Sequence, residues 1–321
     1  MKGLIQSLIH TFRFHKFKVI FFVASLVFSL VILFPFQDVG DFVSSQVSKM
    51  TNNQIFVQFR EPSLSLFPGF GIKLNEVHVE TPLFPPLQAR SLSVYPSIAS
   101  LLAFKPGMNI HAVGLMGGDI DMGLKQAKLN NKTTSQNISI DGNNLDLNQL
   151  IKLSPIPLGL QGKVKISGYT DIDPQMVEQP SGRIELQVNQ FVLPTEVVPT
   201  PLGPLALPSI TLKNVTFEGV LKDGRLQIER FTAGQGNDEL VAQVKGRVDV
   251  RVATLAGRTQ LIPGSYDIEV RLTTVTSFEQ KASLFLSFLS DYKKSSNAAN
   301  TQYALRLTGS NFNVPPRITI L

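Results

Sequence analysis

The four histidines, at positions 10, 15, 78 and 111, are the side chains best suited to general-base work or metal ligation in a chain without cysteine. A catalytic histidine needs an acid or a nucleophile aimed at it, and a metal needs several convergent ligands. His10 and His15 precede a long apolar run. His78 stands at the polar phase of Val77-His-Val79, and His111 follows Ile110 with no serine and acid to join it. Asp119 and Asp121 share one strand face, the arrangement of paired carboxylates for metal or acid–base chemistry. Their neighbours Gly117-Gly118 and Met122-Gly123 add no ligand, so two solvated strand carboxylates are the plainer account. Gly117-Gly118 lacks the Lys-Ser/Thr of a phosphate loop, and Gly69-x-Gly71 lacks the third glycine of a dinucleotide turn. The lack of cysteine excludes a disulfide framework, a thiolate metal site and a thiol nucleophile. The residues therefore predict no enzyme, no cofactor and no metal.

Charge narrows the partners. The chain has 30 Lys+Arg against 24 Asp+Glu, a net +6. Lys2, Arg13, Lys16 and Lys18 supply +4 before the first acidic residue, leaving 6 − 4 = +2 for the rest of the chain. A nucleic-acid surface needs clustered charge on one face. No such cluster exists, and nucleic acid is excluded as a partner.

The elements that would position these groups begin with a basic, amphipathic segment, 1–18, in which Leu4, Ile5, Leu8, Ile9 and Phe12 recur at helical spacing. The stretch 19–36 carries no charge and meets its first proline at Pro35. At about 1.5 Å per residue it reaches roughly 27 Å, close to a bilayer's hydrocarbon thickness. It predicts a transmembrane helix bearing Val19, Phe22, Leu26, Leu30, Leu33 and Phe36. Basic residues stand before it and Asp38 and Asp41 after it, so the positive-inside rule places the N-terminus in the cytoplasm. A cleaved signal peptide is the rival, but the apolar run is long and FPFQDVGDF offers no small-x-small site. Residues 37–321 then form one body on the extracytoplasmic side, opened by a short helix at Val39–Met50.

From Ile55 onward apolar and polar residues alternate, as in Ile184-Glu-Leu186-Gln-Val188 and Tyr266-Asp-Ile268-Glu-Val270-Arg-Leu272. Alternation puts one face of a strand in water and the other on apolar material. Pro68-Gly69, Lys105-Pro106-Gly107, Asp141-Gly142, Asp223-Gly224 and Pro263-Gly264 read as turns. Short helices are predicted at Ser97–Phe104, at Asp146–Leu153 with Asp146 as cap, and at Ser277–Lys294 behind a Ser277-x-x-Gln280 capping box. Phe278, Ala282, Phe285, Leu289 and Tyr292 make the stripe of the last, packed in the core or offered to a partner or lipid. Asn189–Pro208, with five prolines, predicts an exposed extended loop; Val192, Pro194, Val198, Pro201 and Leu205 are its candidate contact residues. The body is thus mainly β with a few helices. Its one-sided apolar strands suit either an open groove for an acyl chain or partner strand, or a partly closed barrel with an ordinary core.

Several stretches carry a family likeness: LFPFQDVGDFVSSQVSKMTNNQIFVQF, LSLFPGFGIKLNEVHVETP and LQARSLSVYPSIASLLAFKPGMNIHAVGLMGGDIDMGL. Their order resembles the type II secretion system protein N family of spirochaetes and deltaproteobacteria. The element "strand, SxxxLLxFKPG, strand, GLxGGxI" also looks like the module of AsmA-like proteins. The resemblance implies a single-pass inner-membrane protein with a curved, mostly antiparallel periplasmic sheet. It implies a non-catalytic role in protein secretion through contacts with other secretion components. The alternative it implies is a lipid-handling module that holds phospholipid acyl chains on an apolar sheet face.

Overall fold

The computed structural model describes the chain from Phe56 onward except residues 61, 66–68, 82–83, 99, 101–106, 130–132, 154–157, 174–177, 201–202, 256–257, 298 and 313; before Phe56 it describes 17–18, 21–22, 25, 29, 44–45 and 48–49. Alternating sequence becomes a run of strands: β1 (Phe56–Gln58), β2 (Pro62–Ser65), β3 (Gly71–Thr81), β4 (Phe84–Pro96), β5 (Gly107–Leu115), β6 (Gly118–Leu129) and β7 (Thr133–Asp146). There follow β8 (Gln161–Ile172), β9 (Ser181–Leu193), β10 (Glu196–Thr200), β11 (Gly203–Leu207), β12 (Ile210–Lys222), β13 (Arg225–Ala233), β14 (Leu240–Leu255) and β15 (Arg258–Val275). The last are β16 (Lys293–Ser296), β17 (Asn300–Gly309) and β18 (Arg317–Ile320).

All but β10 and β11 join one 16-stranded sheet in which every pairing is antiparallel and most neighbours are consecutive in sequence. The meander follows from the connections. Met116-Gly117 (φ 53° and 76°) and Asp223-Gly224 (φ 52° and 70°) place two left-handed residues in a row between paired strands. That is the two-residue turn whose twist matches a hairpin. Asp223-Gly224 is as expected, whereas Asp141-Gly142 and Pro263-Gly264 lie inside strands β7 and β15. There the ladder slips by a bulge instead of turning, between Gly142 and Leu145 and opposite Val248–Val250.

The helices described beyond Phe56 are short. α1 (Leu147–Ile151) starts as expected at Asp146, whose Oδ1 accepts from the Asn148 N–H at 2.9 Å. The single helix expected over Ser277–Lys294 is broken into α2 (Thr276–Lys281), α3 (Ser283–Ser287) and a 3₁₀ turn, and then becomes strand β16. Ala282 leaves the helical region at φ −107°, ψ 21°, and Val275, with no side-chain cap, takes the N-cap position in place of the predicted capping box. Packing of both pieces on β17 overrides the continuous helical period.

Two expectations about architecture fall here. The sheet runs from β1 to β16 and β18 without pairing its two ends, so no closed or curled barrel is formed. Among the described residues no helix is long and apolar enough to cross a membrane. This overturns the anchor over 19–36, with the inner-membrane placement, cytoplasmic N-terminus and single-pass partner derived from it. The described residues of that stretch, Phe21, Phe22, Ser25 and Ser29, are helical but do not make up a helix of the length that a span requires. Of the anchor's named residues only Phe22 is described, helical and 67% exposed; Val19, Leu26, Leu30, Leu33 and Phe36 lie outside the described residues. The expected helices at Val39–Met50 and Ser97–Phe104 also lie largely outside them.

Candidate functional site

Among the described residues, the groups that could do chemistry do not assemble. His111 Nδ1 lies 2.7 Å from Asp121 Oδ1, its opposite number across β5 and β6. Asp119 turns away from the pair to accept from the Gly114 N–H at 3.1 Å. His78 is opposite Gln88. Among the described residues no three histidine or carboxylate groups gather as metal ligands would.

Register, by contrast, assembles the apolar residues. Directly opposed residues in an antiparallel pair project from the same face. Stepping strand to strand from β3, one row reads Leu74, Leu92, Ala112, Ile120, Gly142, Ile166, Leu186, Phe217, Phe231, Val244, Val270, Leu305, Ile320. The next row over reads Ile72, Val94, Ile110, Met122, Ile140, Gly168, Ile184, Gly219, Ile228, Gly246, Ile268, Leu307, Ile318. Neither row contains a polar side chain. Both are invisible in any single strand, because they exist only once every register is set.

What covers these rows differs along the sheet. Near β5–β8, α1 lies over them, and Ala112, Ile120, Leu145, Leu147 and Val164 are buried together with Met116. At the far side α2 and α3 pack Phe278, Ala282 and Leu286 against Tyr303, with Leu240, Leu272 and Leu289 at the margin. Burial there pushes the Tyr303 phenol above its ordinary value, and the charge of Glu279 adds to the effect. Between these two covers, from β8 to β15, only Gly219 among the residues of the two rows is buried; the rest keep intermediate exposure. A filled interior would bury them. The face carries a depression of about 240 Å³ between Ile184, Gly219, Leu221, Leu226 and Val250.

The opposite face is charged and self-paired. Arg183 contacts Glu185 at 2.8 Å, Glu229 at 3.3 Å and Glu218 at 3.4 Å, and Arg230 also binds Glu218. Asp267 takes Arg306 at 2.7 Å and Arg247 at 3.7 Å. The Arg306 hydrogen bond holds the Asp267 carboxyl below its usual range, and the Ser265 hydroxyl with Arg225 does the same for Asp249. Solvated pairs of this kind contribute little stability singly, but they fix which face meets water.

The contact residues proposed from sequence are scattered. Phe278 and Ala282 are core residues, Phe285, Leu289 and Tyr292 are half-buried, and the side chains that α3 leaves in water are Leu284 and Phe288. The expected loop Asn189–Pro208 is not a loop. Its start completes β9, with Val192 opposite Thr211, and β10 and β11 pair as a separate ribbon with Val198 opposite Leu205. Pro199 faces Pro204 there; a two-stranded ribbon has free edges on both sides and tolerates the missing N–H groups. Pro194 is half-buried in the link, and Pro201 lies outside the described residues.

No family model, no curated protein and no solved structure matches this chain. The expectation of an inner-membrane secretion component was built on the anchor and on a resemblance that no match supports. It gives way with the anchor.

Proposed function

We propose that the chain is a non-catalytic lipid-binding module that shields hydrocarbon chains on the apolar face of its sheet, in the manner implied by the AsmA-like resemblance. The observation that carries this is the pair of unbroken apolar rows, left half-exposed between β8 and β15. Six strands at about 4.8 Å give a width of roughly 24 Å, more than the depth of about 15 Å that one leaflet's chains occupy in a bilayer. The backbone hydrogen-bonding groups of these strands are spent in the ladder, so an occupant gains only by removing apolar surface from water, about 25 cal/mol per Å². A hydrocarbon chain makes that exchange without leaving polar groups unpaired, whereas a peptide laid across the face would bury its own N–H and C=O groups without partners. The histidine and carboxylates of β5 and β6 have no part in it.

The test is lipid extraction and mass spectrometry of the full chain purified without detergent, alongside Phe231→Lys. Phospholipid or fatty acid should accompany the native protein in stoichiometric amount and be lost from the variant. A native protein free of lipid, with light scattering showing a second copy on the face, overturns the proposal.

A further inference from the structure

The second apolar row has an order of its own. From β8 to β15 it reads Gly168, Ile184, Gly219, Ile228, Gly246, Ile268, so every other strand lacks a side chain. A Cβ at Gly168 would come within 2.6 Å of the Arg183 carbonyl oxygen, and one at Gly246, where φ is +150°, would strike the Asp267 carbonyl. Backbone closes on both positions. Gly219 is different: its Cβ would meet only side chains, Phe217 Cζ at 2.8 Å and Leu226 Cδ1 at 3.1 Å. It is the one of the three glycines that lines the depression.

The lining of that depression presents almost only apolar surface. Two hydroxyl residues border it: Thr170, whose Oγ1 donates to the Ser181 carbonyl at 3.3 Å, and Tyr169, which is half in water. The guanidinium of Arg183 is held by Glu185, Glu218 and Glu229 on the other face. At about 240 Å³ the depression lies below the range of sites that enclose a drug-sized ligand. It takes part of one chain; a helix, about 10 Å across, is too wide for a notch one strand wide.

We infer that the notch at Gly219 seats a single hydrocarbon chain and takes no account of the head group that the chain carries. The inference rests on the lipid-shielding function proposed above. With almost no polar surface in the lining, affinity comes from the tail and is insensitive to salt.

Palmitate, hexadecanol and palmitoyl-lysophosphatidylcholine, each titrated into delipidated full-length protein, test it by displacement of a fluorescent fatty-acid probe. The three should compete within a few-fold of one another. Gly219→Leu and Val250→Phe, each filling the notch from a different strand, should weaken the probe by about tenfold or more while keeping the native circular dichroism. If Gly219→Leu fails to fold, Val250→Phe decides. Native protein that binds no probe sinks the lipid function and the inference together. Probe bound equally by native protein and by the folded variant sinks the notch and leaves the wider function standing. A preference above tenfold among the three competitors sinks indifference to the head group.

Discussion

The first of the two rows crosses the sheet beneath α1 and again between β9 and β15, and it ends in different conditions. Beneath α1, Ala112 is 0% exposed and Ile120 5%. Between β9 and β15, Leu186, Phe217, Phe231, Val244 and Val270 all remain partly in water. Both regions are written as strands that alternate apolar with polar. The difference teaches that alternation specifies a face, while the covering element comes from a separate segment: LNQLI after β7 in one place, no described helix in the other.

The comparison can be broken at its extremes. Leu145→Ala removes a fully enclosed side chain and should cost about 2–5 kcal/mol in denaturant unfolding. A loss below about 1 kcal/mol would mean that α1 does not seal the region. Phe231→Lys, on the uncovered part, should cost only about 1–1.5 kcal/mol while abolishing lipid retention. Equal destabilisation by the two would show that the middle of the face is covered in solution.

Asp146→Ala sharpens the contrast from the side of the cover. Loss of the hydrogen bond to the Asn148 N–H should cost about 1 kcal/mol, and hydrogen exchange should speed up in α1 before it does in β12–β15. The smallest effect belongs to the charged face. The folded-state pKa of Asp267 is depressed by Arg306, so the stabilisation is fully present above the unfolded carboxylate value of about 3.9 and is lost as pH falls through the folded value. Arg306→Ala should therefore lower the thermal midpoint slightly at pH 7, with an effect that shrinks as pH falls through the folded value, flattening the acid limb of the profile. The native steepness surviving in the variant would rule Asp267 out as its source.

Much of the fold is legible in the residues, and much is not. The strand positions, the Asp146 cap and the Asp223-Gly224 turn follow from local chemistry that acts within a few residues. The Met116-Gly117 turn is hidden because methionine rarely accepts a φ of +53° and gives no warning of it. The proline-rich Asn189–Pro208 misleads because a lone ribbon forgives prolines that a central strand would not. The apolar rows are the largest feature that sequence conceals. Every residue in them is visible as half of an alternation, but a row needs a dozen registers at once. Each bulge, such as that at Gln190 or Asn144, resets the phase of the strand beyond it.

The unpaired ends of the sheet bear on how it comes apart. With the strands ordered as a ladder that never closes on itself, the molecule behaves as a chain of nearest-neighbour couplings, in which stability adds up along a line. Such a system frays inward from its ends, so β18 and β17 can detach while β5–β9 stay folded. It can also gain or lose a hairpin without redesign of the remainder, which makes strand number, and with it the length of apolar face on offer, an adjustable quantity.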